Sequence, residues 1–481
     1  MTAPSTFTVR VIAVIGCLAL LAVTATPAAA RLDIGLDIAG PVSAPNLALA
    51  RTVGAKTIRV EIAWSSAAPE GTSKPAGFTA SDPADPQYRW EPFDTVLRTA
   101  AAAGTRVIVL VSHAPAWAEG PNRPSPTSSK ATDRDVRPGA WDPDPQELAL
   151  FARAIARRYG GSFPEPGRPG ATLPRIRDWE FWNEQNLPYY FDAPHPVPAF
   201  RRMLNAFYDN VKAVHKDNVV SIGGFAPVSY LGRSISPLKF AAELMCLRRT
   251  GKRFVRRGCP TKAKFDVIAT HPYSLAATPT KHAYHYDDLL VADTGKLTKL
   301  LRTAERMNLV LPAHRRRPIW VTEWSWFTNP PNSFLGDAPA VAARYTALSL
   351  YLMWRAGVTL VVWRVLIENP AENPRGGGLF TAGLTPKATA RALRFPFFAR
   401  VSRGRGYAWG KAPAARRPVV ILRRTRGRWR TVARGRSGPD GIFQVRFAAT
   451  RNASFAARVA GRTSRAYDST PVPPRRTHAF G

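Results

Sequence analysis

Apolar and polar positions along this chain fall into two textures. From residue 32 to about 398, short and nearly continuous apolar runs recur between longer stretches of helical period. Eight runs read as strands: LDIGLDI (32–38), TIRVEIAW (57–64), RVIVLVSH (106–113), DWEFWNE (178–184), VVSIGGF (219–225), FDVIATHPY (265–273), IWVTEW (319–324) and VTLVVWRV (358–365). They lack the strict alternation of a sheet with one wet face, as parallel strands covered on both faces do. Between them, DPDPQELALFARAIARRYG predicts a helix with Asp144 as N-cap, Pro145 in its first turn, Glu147 at the capping-box position and Gly160 closing it. Residues 200–215 and 340–357 are amphipathic at the same period. Eight strand–helix units predict a (β/α)8 TIM barrel, and the Pro-, Ser- and Gly-rich connections 65–92 and 114–143 predict long loops on one face.

After residue 398 the texture changes. PVVILRR, RWRTVA, GIFQVRFA and ASFAARVA are short, partly alternating runs, with an Asp440–Gly441 turn. They predict a small antiparallel β-sandwich over 399–468, similar in pattern to Ig-like repeats of exported bacterial proteins, and a disordered tail over 469–481. At the other end, Arg10 precedes VIAVIGCLALLAV and TATPAAA. A basic start, an apolar run too short to span a bilayer and small residues before Arg31 predict a signal peptide over 1–30, cleaved after Ala30. The barrel then occupies 31–398, and the product is secreted rather than integral to a membrane.

Export changes how the cysteines read. Two remain in the mature chain, Cys246 and Cys259, and a pair closing a short loop outside the cytosol predicts a disulfide. The formal charge of +35 and pI near 11.1 raise nucleic acid as a partner. Arginine dominates that excess in a background rich in Ala, Pro and Gly, and an exported chain meets anionic envelopes and acidic glycans instead. The charge therefore predicts salt-sensitive adhesion to negative surfaces and no specific nucleic acid. The C-terminal module carries much of it, with 20 Arg or Lys against 2 acidic residues over 400–481, and is either a structural appendage or the attachment element.

Candidate chemistry lies where barrel strands end, because residues there point into the mouth of such a barrel. Arg59 lies on the second strand and His113 ends the third. Asn183 and Glu184 end the fourth, His271 and Tyr273 the sixth, Glu323 the seventh and Trp363 the eighth. Glycoside cleavage needs this inventory: one carboxylic acid to protonate the leaving oxygen, a second carboxylate at the anomeric carbon, and flat apolar faces for sugar rings. Trp117, Trp324 and Trp326 read equally as sugar platforms or packing. Glu180 alternates away from the mouth and reads as an internal hydrogen-bonding group, Glu368 as a substrate contact, and Arg59 has a competing partner in Glu61.

The motifs WNEQN (182–186), HPY (271–273), VTEWSW (321–326), TIRVEIAW (57–64), RYG (158–160) and GLTPKATARAL resemble the clan A retaining glycoside hydrolases, most of all family 39 and related bacterial cellulase-like families. The resemblance spans about 36–395. It implies that Glu184 is the acid/base and Glu323 the nucleophile, with the two carboxyl groups about 5–5.5 Å apart. It also implies that Tyr273 and Arg59 bond Glu323, that Asn183 meets the 2-hydroxyl, that His113 and His271 contact sugar, and that Trp363 floors the sugar subsite; of the three tryptophans weighed above, Trp326 is taken as the substrate-binding candidate. Gln185 stands where the family has Pro, and Trp324-Ser325 where Phe-Gly is commoner; neither removes a catalytic group. No metal or organic cofactor is implied. The partner is an oligo- or polysaccharide whose sugar no residue specifies, and transglycosylation would use the same residues. The competing reading is a non-catalytic glycan- or envelope-binding protein on a hydrolase-derived barrel.

Overall fold

The computed structural model describes residues 31–38, 41–125, 135–230, 232–274, 277–369 and 376–471. The expected signal peptide and residues 472–481 of the expected tail lie outside them. Eight parallel strands run in chain order: β1 (Asp33–Asp37), β2 (Thr57–Ala63), β3 (Arg106–Ser112), β4 (Asp178–Phe181), β5 (Val219–Ile222), β6 (Ile268–Thr270), β7 (Ile319–Trp324) and β8 (Val358–Arg364). They pair as β5–β4–β3–β2–β1–β8–β7–β6, and parallel bridges Ser221–Val267 and Phe225–Thr270 close the ring. A principal helix follows each strand: α1 (Ala44–Thr52), α2 (Glu91–Ala102), α3 (Pro145–Arg158), α4 (Pro196–Val214), α5 (Pro237–Leu244), α6 (Thr294–Arg306), α7 (Pro339–Arg355) and α8 (Ala388–Arg394). This is a TIM barrel.

Alternation sorts each strand between two cores. Outward residues such as Ile34, Ile58, Val109, Trp179, Ile268 and Val361 pack into the helix layer. Inward residues Ile108, Val267, Ala269, Trp320, Leu360 and Val362 form a separate buried plug. Each buried Val, Ile or Leu among them contributes about 1.5–3 kcal/mol. Above the plug, toward the C-terminal ends of the strands, the inward positions turn polar, and the site lies there.

Local signals behave largely as their chemistry dictates. Asp144 caps α3 by accepting from the backbone N–H of Gln146 and Glu147. Glu147 does not reach back to complete a capping box. Its carboxylate pairs with Lys74 of the long 65–92 connection at 2.7 Å, while the Asp144 N–H donates to Ala118 O. The left-handed turn after α3 falls on Gly161 (φ +87°), one residue beyond the expected stop. Trp117 is absorbed in the same loop: its Nε1 donates to Pro69 O and its ring meets Trp64 edge-on. Cys246 and Cys259 are joined in a disulfide, which closes the hairpin formed by 247–250 and 253–256. Among the described residues, no helix is long and apolar enough to cross a membrane.

The C-terminal region forms two antiparallel sheets from β9 (Phe397–Ser402), β10 (Arg405–Lys411), β11 (Pro418–Thr425), β12 (Arg428–Arg436), β13 (Ile442–Ala448) and β14 (Ser454–Val459). One sheet is β9–β10–β13; the other is β12–β11–β14 with the short pieces 462–463 and 467–468 on β14. Phe447 and Phe455 meet between them with ring centroids 5.2 Å apart. Phe398 stacks on Tyr351 of α7 at 4.3 Å, and Trp409 lies 5.6 Å from both Tyr351 and Trp354, so the module and the barrel share one apolar core. Ser469 is still bonded to Ala453, and Thr470 O accepts from Arg344.

Candidate active site

Three neighbouring strands set the floor of the site. Register places Asp37 of β1 beside Arg364 of β8 on one side and Arg59 of β2 on the other. All three point inward, giving a row of alternating charge. Glu323 reaches this row through an irregularity in β7. Val321 pairs with Val361 but Trp324 pairs with Trp363, so β7 carries an extra residue there. Such a bulge re-aims side chains: Thr322 and Glu323 both face the interior, while Trp324 turns back to the helix layer. On the facing side, β4 ends at Phe181 and the chain passes through left-handed conformations at Trp182 (φ +68°) and Glu184 (φ +43°). Strain of this kind in non-glycine residues collects at functional sites. Here it turns Asn183 and Glu184 toward the mouth, fixed by the Glu184 N–H to Gly224 O hydrogen bond at 3.0 Å. The glycines of VVSIGGF make room: a Cβ on Gly223 would lie 2.0 Å from Trp182 O, and one on Gly224 2.0 Å from His271 Nε2.

The two mouth carboxylates have unlike surroundings. Glu323 Oε2 is 2.9 Å from Arg364 Nη1 and 3.6 Å from Arg59 Nη1, and Oε1 accepts from the Tyr273 hydroxyl at 2.9 Å. Burial opposes its ionisation, but Arg364, His271, Arg59 and the Tyr273 hydrogen bond outweigh burial and lower its pKa to about 2. Burial, with the Glu323 charge second, pushes Tyr273 well above the usual phenol value, so it stays a donor. Asp37 is raised by burial against the pull of Arg364 and Arg59. Among the described residues Glu184 contacts no guanidinium; its Oε1 lies 2.9 Å from Nδ1 of the fully buried His271.

Hydrogen-bond bookkeeping fixes where protons sit. Glu180 is fully buried and accepts from Arg59 Nε at 2.6 Å, Thr322 Oγ1 at 2.7 Å and Gly224 N at 3.0 Å. Thr322 has one hydroxyl proton and gives it to this carboxylate. Its 3.2 Å contact with His271 Nε2 must therefore be donated by the ring. A neutral ring then offers only a lone pair at Nδ1, and an ionised carboxylate is acceptor-only. The 2.9 Å contact between Nδ1 and Glu184 thus requires one proton, held by Glu184 and His271 as a pair. Asn183 Oδ1 accepts from Arg59 Nη2 at 2.8 Å, which turns its NH2 donor away from the arginine.

Most of the residues expected from sequence meet in this network, but not all. Arg59 pairs with Glu180, Asp37 and Glu323 and not with Glu61, which instead bonds Ser112 and lies 3.5 Å from His113. His113 Nδ1 is 2.7 Å from Ser112 Oγ, and its buried Nε2 has no partner among the described residues. Trp363 is not a floor. It alternates to the outer side of β8, fully buried against Trp324, with Nε1 donating to Gly377 O at 2.8 Å. Its neighbour Arg364 takes the inward position. Trp326 is buried with Nε1 on Asp337 Oδ2 at 2.7 Å, beside Tyr273 in a small recess, and Glu368 is tied to Lys387 at 2.5 Å. Sequence reasoning missed Arg364, Asp37 and Thr322, as well as Tyr190, whose pKa is raised by burial and then by Glu184 and Glu323. Counting inward positions by two along β8 from Leu360 would have reached Arg364. Among the described residues no cluster of three or more His, Cys, Asp or Glu side chains is placed to hold a metal ion.

No family model matches the chain, and no curated protein matches its sequence. Among solved structures, a family 39 glycoside hydrolase from the gut symbiont Bacteroides cellulosilyticus WH2 is similar at a TM-score of 0.50 and 17% identity, over 87% of this chain and 81% of that one. A glucosidase from Croceicoccus marinus gives 0.49 at 12% identity, over 88% and 94% of the two chains. The catalytic domain of a GH30 xylanase C from Talaromyces cellulolyticus gives 0.45 at 13% identity, over 88% and 97%. The first of these shows that the chain has the fold found in clan A glycoside hydrolases.

Proposed function

We propose that this chain is an exported retaining glycosidase that hydrolyses β-linked O-glycosides in an oligo- or polysaccharide. The observation that carries the reading is the contrast between the two mouth carboxylates. Glu323 is held ionised beside two guanidinium groups, whereas Glu184 shares a proton with His271. A retaining enzyme divides its work in that way.

In the first step Glu184 gives the shared proton to the glycosidic oxygen as Glu323 attacks the anomeric carbon. The carbon–oxygen bond breaks, the alcohol leaves, and the sugar remains as an ester of Glu323. In the second step the Glu184–His271 pair, now one proton short, takes a proton from water. The resulting hydroxide displaces Glu323, which regains its negative charge. The Asn183 amide, turned away from Arg59, offers a donor to the hydroxyl beside the reacting carbon, and His113 Nε2, without a partner among the described residues, offers a second polar contact. Export belongs to the same reading, supported by the basic–apolar–small pattern of residues 1–30 and by the Cys246–Cys259 disulfide.

The test is hydrolysis of a panel of aryl β-glycosides by the wild-type chain and by Glu323→Gln, with the anomer of the first-formed sugar read by NMR. Turnover of at least one glycoside with retained configuration, absent in the variant, is expected. Turnover that persists in Glu323→Gln, or an inverted product, would overturn the assignment. No turnover on any glycoside, with retention on a polysaccharide, would favour a binding protein.

A further inference from the structure

The outer face of the larger C-terminal sheet has a chemistry that the barrel site does not use. On the inner side of this sheet, Val419 and Ile421 of β11 and Phe455, Ala457 and Val459 of β14 are buried. The opposite side is set by register. Arg424 pairs with Trp429, Val420 with Arg434 and Pro418 with Arg436, while Val420 pairs on its other flank with Arg458 of β14. Cross-strand partners share a face, and so do alternate residues of one strand. Arg424, Trp429, Arg434, Arg436 and Arg458 therefore stand together.

Unbroken alternation along β12 would have sent Arg434 and Arg436 to the side opposite Trp429. A register shift prevents this: Leu422 pairs with Thr431 and Ile421 with Ala433, leaving Val432 as an extra residue. The bulge brings Arg434 and Arg436 onto the face that carries the ring, with Arg424 directly opposite it and the others farther along the strands. All four arginines are exposed and Trp429 is 42% exposed. None of the four has an ion-pair partner among the described residues. Among the described residues the carboxylate on this face is Asp468, opposite Ser454, with its Oδ1 taken by the Thr470 N–H.

We propose that this face is a binding site for an acidic polysaccharide, separate from the barrel site and independent of hydrolysis. Unpaired guanidinium groups match carboxylates along a polyuronate, each offering a planar fork for two-point contact. The exposed indole gives a pyranose ring a flat apolar face among those cations. A lone cationic patch would attract any polyanion; a ring at one end of a line of arginines on one face is what favours an extended sugar chain.

The probe is polygalacturonate, titrated into the 31–481 chain by calorimetry at about 50 mM and about 200 mM salt, with neutral dextran as the control. Saturable binding to polygalacturonate alone is expected. Arg424→Ser/Arg434→Ser/Arg458→Ser should weaken it at least about tenfold at the lower salt and flatten its salt dependence. Trp429→Ala should weaken it roughly five- to tenfold at both salt concentrations, because stacking is not screened. The matched change Arg248→Ser/Arg253→Ser/Arg256→Ser, at the disulfide hairpin, should leave binding near wild type. Four outcomes would overturn the proposal: no binding to polygalacturonate, wild-type binding by Trp429→Ala, an equal loss in the matched control, or tighter binding to duplex DNA or phosphatidylglycerol vesicles. Since the readout is binding without turnover, its failure and that of the glycosidase reading are distinguishable.

Discussion

Replacing Arg364 with Met removes the nearer of the two guanidinium groups facing Glu323, at 2.9 Å against 3.6 Å for Arg59. Two unit charges about 4 Å apart interact by about 4 kcal/mol at an effective dielectric of about 20, or about 3 pKa units. The Arg364 side chain is 43% exposed, so water screens much of this, and a rise of roughly 1–2 units is expected. Glu323 starts at about 2, where burial opposes ionisation and Arg364 is the largest of the opposing influences. The assay is kcat/KM against pH on a dinitrophenyl glycoside, whose leaving group departs without a proton. On the proposed reading its acidic limb then reports Glu323, as nucleophile, alone. The nucleophile must be ionised, so activity falls as pH drops through its pKa. The wild type should hold its plateau until the protein unfolds, while Arg364→Met should decline roughly 1–2 units higher. Coincident limbs would refute the reasoning. Linkage gives a second readout. A depressed carboxylate stabilises the fold fully above its unfolded value of 4.5, and this is lost as pH falls toward about 2. The variant should lose less over that window.

Other expectations follow from the same contacts. Glu184→Gln should slow glycosides with poor leaving groups by about 10²–10⁴-fold while sparing dinitrophenyl glycosides in the first step, and added azide should restore turnover with a β-glycosyl azide as product. Arg59→Met strands the fully buried Glu180 and should destabilise the fold by about 3–5 kcal/mol, read by urea denaturation. The double change Cys246→Ser/Cys259→Ser should cost about 3 kcal/mol of stability and leave kcat unchanged, because the disulfide holds a hairpin that supplies no side chain to the mouth.

The barrel was legible because its strands are buried on both faces and so stand out as apolar runs; β7 was placed residue for residue. Helices were less visible. In α1, APNLALART buries only Leu47 and Ala50, too little for a clear periodic signal. At the candidate site, Glu184, Glu323, Tyr273 and Arg59 could be singled out from sequence because the motifs around them are local, and the structure brings their side chains to one mouth. What escaped depends on geometry that no residue type announces. The β7 bulge and the left-handed turns at Trp182 and Glu184 decide which side chains face inward. An aromatic at the end of β8 suggested a platform, but alternation handed the inward position to Arg364. Asp37 acquires meaning only once β8, β1 and β2 lie side by side.

The stacking of Phe398 and Trp409 on α7 bears on how this chain can be cut or recombined. A barrel ending at residue 396 would lose Phe398 and Trp409 and leave Tyr351 and Trp354 facing solvent, so it should express as an aggregate rather than as a trimmed barrel. The helix so covered is the one that follows β7, the strand bearing Glu323. The module cannot therefore be exchanged like a bead on a string, and changes in its aromatic residues should be inherited together with changes on α7.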